Sequence, residues 1–266
     1  MKKLIAALLA LTLMLCLAAC GEAEPETKTI YVQTRSVRTI GEAVIRTEYT
    51  YGKTGKPVTM KMYFNDKLYQ SVTNRTSNGV TYMTITDSTG ESSTQTTNTV
   101  YDDQGRVSIL EVNVGSTTVS RTTYTYDDQD RIVKAATLTA DGTVTTTYIY
   151  DANGNTVTQQ VSDTNDDSFT RTEYTYNADN YVTLEKNFDK EGNLQGSTVY
   201  TYEGKTARIQ TYYDGDGEPT GEVTRLEYDE HGNLVKEISY VDGEVAQTIV
   251  STYEAMEVLV ENEDKN

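Results

Sequence analysis

A tyrosine recurs through most of this chain at an almost constant interval, and that interval constrains the fold more than any other feature. Tyr51 lies 50 residues before the next member of the series, and the gap contains an in-phase turn at residues 77–79, Ser-Asn-Gly. A fixed period of this size is typical of repeat architectures. The chain is therefore predicted to consist of tandem copies of one small unit. The later tyrosines follow one another at spacings of 24 to 26 residues: Tyr101, Tyr126, Tyr150, Tyr176, Tyr202, Tyr228 and Tyr253.

Each copy contains two turn signals, which predict two strands. The first follows the tyrosine and reads D-x-x-G, as at residues 102–105 and 151–154; Asp can bond the backbone two residues on, and Gly accepts positive φ. The second comes 13 to 16 residues after the tyrosine, as at Asp141-Gly142, and is a hairpin signal. Between the turns, Thr, Val, Tyr and Ile alternate with period two, which is typical of strands. One face of each strand is aromatic and aliphatic, and the other is mostly Thr and charge.

The turn count predicts about eighteen or nineteen short strands in an all-β fold. We expect one long, twisted, curled antiparallel sheet of ~25-residue two-strand repeats, with its Tyr, Leu, Ile and Val face inward. Left open, such a meander would be on the order of 85 Å long, and sheets of that length twist or curl. With no Trp, three Phe and 21 Tyr, the core is expected to be thin.

The motif Y-x-Y-D-x-x-G-[RN], seen at residues 148–155 and in part at 101–107, resembles the YD repeat of the RHS (rearrangement hotspot) family. The resemblance extends from Tyr49 to the C-terminus. It implies a repeat sheet that, in large members of the family, winds into a hollow shell around a toxin, and that in other cases is similar to surface adhesion proteins. This chain is far shorter than those large members.

The N-terminus predicts export and lipidation. Met1-Lys2-Lys3 precedes an apolar run from Leu4 to Ala19, which is short for a membrane span and suits a secretory signal. Residues 17–20, Leu-Ala-Ala-Cys, resemble the bacterial lipobox. We therefore predict a signal peptide at residues 1–19, a lipidated Cys20 with a short acidic tether at residues 20–28, and a single repeat domain at residues 29–266. The expected location is the bacterial cell envelope, outside the cytoplasm, with the membrane bound through lipid on Cys20.

Charge and cysteine content limit the classes of partner that this chain can bind. Without residues 1–19 the chain has 21 Lys and Arg against 40 Asp and Glu, a formal charge of −19, and Cys20 as its only cysteine. Such acidity argues against nucleic acid as a partner. A glycan or another envelope protein is the partner expected.

The tyrosines are the candidate ligand surface, because a Tyr ring offers a glycan an apolar face and a polar edge. The alternative is that these rings pack against neighbouring strands. We predict no cofactor, no metal site and no catalytic residue; the acidic loops at residues 163–167 and 214–218 are explained as turns, and His231 is the only histidine. The candidate residues are Tyr126, Tyr148, Tyr150, Tyr174 and Tyr176.

These observations favour a membrane-anchored surface lipoprotein whose repeat sheet is a non-catalytic structural or binding module. Two other interpretations stay open. One is a polysaccharide-processing enzyme that uses carboxylates of the repeats; the other is a solitary remnant of an RHS toxin-delivery system.

Overall fold

The computed structural model describes residues 27–78 and 80–260, and in this part the regular secondary structure consists of eighteen β-strands and no helix. This confirms the predicted all-β class and the two strands per copy. The strands are β1 Thr27–Ile40, β2 Ala43–Tyr51, β3 Pro57–Phe64, β4 Lys67–Ser77, β5 Val80–Asp87, β6 Ser92–Tyr101, β7 Val107–Val114, β8 Thr117–Tyr126, β9 Ile132–Thr139, β10 Thr143–Tyr150, β11 Thr156–Asp163, β12 Phe169–Tyr176, β13 Val182–Phe188, β14 Leu194–Glu203, β15 Ala207–Asp214, β16 Pro219–Tyr228, β17 Leu234–Val241 and β18 Glu244–Leu259.

Every strand pairs antiparallel with the next strand in sequence, so the turns fall on two rims. The near rim carries the start of β1, the end of β18 and the turns that follow the repeat tyrosines. The far rim carries the hairpin turns. There, Asn65 and Asp66 have φ of 46° and 63°, and Asp242 and Gly243 have 51° and 82°, the left-handed backbone that tight hairpin turns require.

The first and last strands also pair with each other, and this closes the sheet. Their register runs from Thr27 opposite Leu259 to Thr39 opposite Thr248, while β1 pairs on its other side with β2. The expectation of an open, curled sheet, and with it the description of the protein as an open YD-repeat sheet on a lipid anchor, is therefore wrong. The protein is a closed eighteen-stranded antiparallel barrel.

Closure has a physical reason that local sequence does not show. An open meander would leave one unpaired edge on β1 and another on β18, and a closed barrel leaves none. Strands spaced by ~4.8 Å and tilted by about 40° give an eighteen-stranded barrel on the order of 35 Å across. Eight strands are enough to fill a barrel with side chains, so this one encloses a lumen.

The inner face is the one that carries the repeat tyrosines. Cross-strand partners share a face, and six of the nine buried residues of the described chain fall on the tyrosine face: Thr47, Val72, Thr172, Thr198, Thr224 and Leu226. Of the other three, Val32 and Val258 lie on β1 and β18 where these strands pair with each other, and Ala207 lies beside the turn between β14 and β15. Side chains converge inside a closed sheet and diverge outside it, so the more buried face is the inner one. Few side chains are buried in the described part of the chain, which confirms the thin core.

A two-stranded ribbon rises above the near rim. It consists of Thr27–Gln33 of β1 and Tyr253–Leu259 of β18, which pair with each other beyond the point where β2 and β17 stop pairing with them. Gly55, in the turn between β2 and β3, has a φ of +79°, and a Cβ there would lie 2.6 Å from the Ile30 Cδ1 atom. On the other side, the ring of Tyr31 stacks on His231 at 3.8 Å. The ribbon thus packs between two near-rim turns, and its residue Val258 is 2% exposed.

The predicted signal peptide and Cys20 lie outside the described residues, as do most of the tether and the acidic tail at residues 261–266. Within residues 27–78 and 80–260, no helix is long and apolar enough to span a bilayer.

Candidate functional site: an aromatic pocket on the near rim

Most near-rim turns share one geometry, which we call the regular turn and describe on residues 127–131. The Asp127 Oδ1 atom accepts hydrogen bonds from the backbone N–H groups of Gln129 and Arg131, at 2.9 and 3.0 Å. Its Oδ2 atom accepts from the Arg131 Nε at 2.8 Å. Those bonds, led by the one from the Arg131 side chain, lower the pKa of Asp127. Asp102, Asp151 and Asp229 repeat the arrangement, and Asn177 accepts the two backbone bonds in its own turn. Each regular turn is thus closed by the side chain of its first residue.

The regular turns also fix the tyrosine before them. Tyr150 donates its hydroxyl hydrogen to the Ile132 carbonyl at 2.7 Å, and the Arg131 guanidinium lies 4.4 Å from the centre of the Tyr150 ring. Tyr126 likewise donates to the Val107 carbonyl at 2.6 Å and lies under Arg106 at 4.5 Å. These arginines are neutralised by turn carboxylates, since Arg106 bonds both Asp102 and Asp130.

The structure places all five predicted tyrosines on the inner face, on β8, β10 and β12. Tyr126, Tyr150 and Tyr176 each donate to a backbone carbonyl of the preceding strand, at 2.6 to 2.7 Å. The Tyr148 and Tyr150 rings stack within one strand at 6.4 Å. Burial raises the pKa of Tyr174, with a further rise from the nearby Glu185 charge. The three hydroxyls are already engaged, and an arginine covers one face of the Tyr126 ring and of the Tyr150 ring.

The turn between β14 and β15 departs from this geometry, and we call it the narrow turn. In the regular turn, a bulge places Tyr126 opposite Ile132. Here the ladder continues without a bulge, so that Tyr202 faces Arg208 and Glu203 faces Ala207. Only residues 204–206 remain in the turn, with Gly204 at a φ of +63°. No aspartate closes it: Glu203 instead accepts from Arg225 of β16 at 2.9 Å.

Arg208 occupies the position that apolar residues such as Val107 and Ile132 hold in other copies. Its Nε atom is buried and has no hydrogen-bond partner in the described part of the chain. Across the next strand pair it faces Leu226, which is 4% exposed. A buried donor without a partner costs about 1–3 kcal/mol, and more when it is charged, so the Arg208 guanidinium group is not fully satisfied by the described chain.

A pocket of about 240 Å³, which we call the rim pocket, opens at the narrow turn. The Tyr181 and Tyr202 rings stack at 5.0 Å and form part of its wall. Its described lining holds two cations and no carboxylate, although the chain has a formal charge of −17. Burial raises the pKa of Tyr202, and the Arg208 charge opposes that rise. The lining residues are Tyr181, Tyr202, Gly204, Lys205, Ala207, Arg208, Tyr228 and Gly232.

A polar network lies on the inner face below the rim pocket. Glu185 accepts from the Tyr200 hydroxyl at 2.8 Å and from the Asn187 amide at 3.3 Å. Thr172 in turn donates to Asn187 at 2.8 Å. Burial and the bond to Glu185 raise the pKa of Tyr200, and the Arg208 guanidinium lies 5.7 Å from the centre of its ring. The network therefore extends the polar surface of the pocket into the lumen.

The sequence analysis did not single out the residues of the rim pocket. A signal was present: residues 202–206 read Tyr-Glu-Gly-Lys-Thr, without the aspartate and the fourth-position glycine found at residues 102–105, 151–154 and 229–232. The Tyr228 hydroxyl, unlike that of Tyr150, has no hydrogen bond in the described chain. Those residues contain no group of three or more His, Cys, Asp or Glu side chains that could hold a metal ion.

Comparison with known proteins gives limited likenesses. A family model described as "Uncharacterised protein" matches residues 93–223. No curated protein matches the sequence. A porin-like protein from Bacteroides uniformis is similar over 84% of this chain and 98% of its own, with 14% identity and a TM-score of 0.44. TcdB2-TccC3 is similar over 81% of this chain at 11% identity and a TM-score of 0.30, and the match spans 15% of that chain. Both TM-scores are below 0.5, so neither likeness supports a functional conclusion.

Proposed function

We propose that this protein is a lipid-anchored bacterial envelope protein whose closed barrel is a non-catalytic binding module for saccharides. The observation that carries the proposal is the rim pocket, where stacked tyrosines and two cations meet at a place where the repeat is interrupted. Tyrosine rings offer sugar rings an apolar surface with a polar edge.

The size of the pocket supports a small ligand group. At about 240 Å³, it lies below the ~300–1,000 Å³ of pockets that enclose drug-sized ligands. One sugar ring at the end of a chain, or as a branch, is a ligand of suitable size. The remainder of the chain would then extend into the lumen or past the rim.

The polarity of the barrel wall supports a place in water beside the membrane rather than within it. The outer face carries charged side chains at mid-strand positions, such as Arg46 and Glu48 on β2 and Arg171 and Glu173 on β12. The inner face carries Glu185 and Arg208. A barrel that spans a bilayer needs an outward apolar band about 25 Å tall, and in the described strands these charged positions interrupt both faces.

Chain geometry supports an orientation of the barrel. Thr27 begins β1 at the near rim, and Cys20 precedes it by seven residues. Seven residues span at most ~25 Å when fully extended. If Cys20 carries the lipid, the near rim and the rim pocket face the membrane surface.

We propose binding rather than turnover because of what the pocket offers chemically. Glycoside hydrolysis typically uses two carboxyl groups, about 5 to 9.5 Å apart, on either side of the scissile bond. The described lining offers phenols, an ammonium group and a guanidinium group, which suit recognition of a sugar.

A glycan array tests this function with the full-length protein, purified in detergent from a host that lipidates proteins. We expect glycans to be retained and recovered unchanged. Cys20→Ala should abolish acylation, measured by mass spectrometry, while binding persists. An array without retained glycans would refute the binding function, and hydrolysis products would favour the enzyme.

A further inference from the structure

We propose that the rim pocket selects a sugar that carries a carboxylate, a hexuronic acid, with Arg208 bound to the carboxylate and the tyrosines against the ring. This inference rests on the proposed saccharide-binding function and adds the ligand class. The observation behind it is that the narrow turn changes the shape of the rim and also leaves Arg208 without the carboxylate partner that other near-rim arginines have.

The near-rim arginines differ in whether the protein neutralises them. Arg106 and Arg131 each bond the aspartate that closes their own turn. Arg208 has no such aspartate, because the narrow turn begins with Glu203, and that carboxylate bonds Arg225. Lys205 adds a second cation to the same pocket. The positive charge of the rim pocket is thus left for a ligand.

The position of Arg208 directs its charged group toward the pocket. It stands on the inner face directly opposite Tyr202, whose ring stacks on Tyr181. The buried Leu226 lies on its other side. Arg208 therefore lines the pocket beside the aromatic wall that would hold the sugar ring, and its Nε atom has no hydrogen-bond partner in the described residues.

A carboxylate satisfies this arrangement better than a sugar hydroxyl does. The guanidinium group presents a planar fork of donors that matches the two oxygens of a carboxylate. Hydrogen bonds between charged partners are roughly twice as strong as neutral ones. A hexuronic acid carries its carboxylate on the ring itself, so one ligand can contact the tyrosines and Arg208 at once.

The test measures binding of matched sugars to the full-length protein in detergent. The probes are the methyl glycosides of glucuronic and galacturonic acid, each paired with its neutral counterpart, methyl glucoside or galactoside. We expect a uronide to bind at least tenfold more tightly than its neutral counterpart. Arg208→Gln should remove roughly that tenfold advantage, the effect of one charge-assisted hydrogen bond.

Arg75→Gln is the matched control, because Arg75 lies on the outer face over the Tyr82 ring; its uronide binding should be unchanged. Circular dichroism verifies the fold, and if Arg208→Gln fails to fold, Lys205→Gln takes its place with the same expected direction. Equal affinity for acidic and neutral sugars would overturn the inference and leave the proposed function intact. Failure of every glycan on the array would overturn both, and binding only to phosphatidylglycerol vesicles would overturn the uronide site.

Discussion

The regular turn after β8 and the narrow turn after β14 have the same length but build different surfaces. In both, five residues separate the repeat tyrosine from the residue that faces it, Ile132 or Arg208. The regular turn has an aspartate that binds its own backbone N–H groups and a left-handed residue, Asp130, at its fourth position. The narrow turn has Glu203 and places its left-handed glycine second, at Gly204.

This difference shows how a repeat can acquire a site without an insertion. Once the aspartate and the fourth-position glycine are lost, the ladder extends by one pair, Glu203 opposite Ala207. The arginine then stands at an inner-face position that apolar residues such as Val107 and Ile132 hold in most other copies. The regular turns bind side by side through contacts such as Arg106 with Asp130, at 2.6 Å, whereas the narrow turn borders a pocket.

The largest effect is expected beside the narrow turn, at the buried Leu226. Leu226→Ala removes a side chain that is 4% exposed and faces Arg208. It should lower the free energy of unfolding by about 2–5 kcal/mol, measured by urea denaturation. Leu138→Ala, at a 54% exposed outer-face position, should change it by less than about 0.5 kcal/mol. Equal losses would mean that the inner face is not the packed one.

An exchange of turns tests whether the narrow geometry makes the pocket. Residues 203–208 are replaced by the sequence of residues 102–107, Asp-Asp-Gln-Gly-Arg-Val, which has the same length. The new arginine should pair with the new aspartate, and uronide affinity should fall at least tenfold while the barrel persists. The reverse exchange at residues 102–107 is the control and should leave affinity unchanged. If the first variant kept its affinity for the uronide, the narrow turn would not be needed for the binding site.

A smaller effect on stability is expected from the hydroxyl groups of two repeat tyrosines, Tyr150 at the regular turn after β8 and Tyr228 at the rim pocket. Tyr150→Phe loses the bond to the Ile132 carbonyl and should cost about 1 kcal/mol of unfolding free energy. Tyr228→Phe, at the rim pocket, loses a hydroxyl without a partner in the described chain and should cost close to nothing. Calorimetry of both variants checks this, and an equal cost would show that the Tyr228 hydroxyl is engaged.

The smallest effect concerns pH. The pKa of Asp127 is lowered, chiefly by the Arg131 side chain, from its ordinary value of 3.8. Its contribution is therefore complete above that value and is lost as the pH falls through the lower folded-state pKa. Asp127→Asn should make the fall in Tm below about pH 4 shallower. Asp128→Asn is the control, because the Asp128 side chain has no hydrogen bond in the described turn; its Tm should change with pH as in the original protein. Parallel curves of Tm against pH for the original protein and both variants would refute the role of Asp127.

Much of the local structure could be predicted from the sequence because short-range physics decides it. The D-x-x-G segments and the hairpin pairs, Asp242-Gly243 among them, form the turns that their residues predict. β1 and β2 form such a hairpin, with Gly41 at a φ of 54° in the turn between them. One strand departs from the short strands predicted: β18 runs unbroken over 16 residues, from Glu244 to Leu259.

The site was less accessible to prediction because it combines residues from several copies. Tyr181, Tyr202 and Tyr228 come from three different repeats, and only the register of β13 to β16 brings them together. The predicted Tyr126, Tyr148, Tyr150, Tyr174 and Tyr176 share the inner face as the alternation indicates, and their role in ligand binding stays a prediction. The narrow turn was visible in the sequence as a departure from the repeat, but its consequence was not.

The sequence by itself determined the strands, their alternation and the position of each turn, since these depend on residues a few positions apart. The tertiary structure decided closure, because Thr27 and Leu259 pair across almost the whole chain, and the tilt that brings them together accumulates in small steps over eighteen strands. It also decided which face lies inside, and it left Arg208 without a carboxylate partner in the described chain. The inner face is set by closure of the barrel, whereas the surroundings of Arg208 are set by the register of β14 to β16.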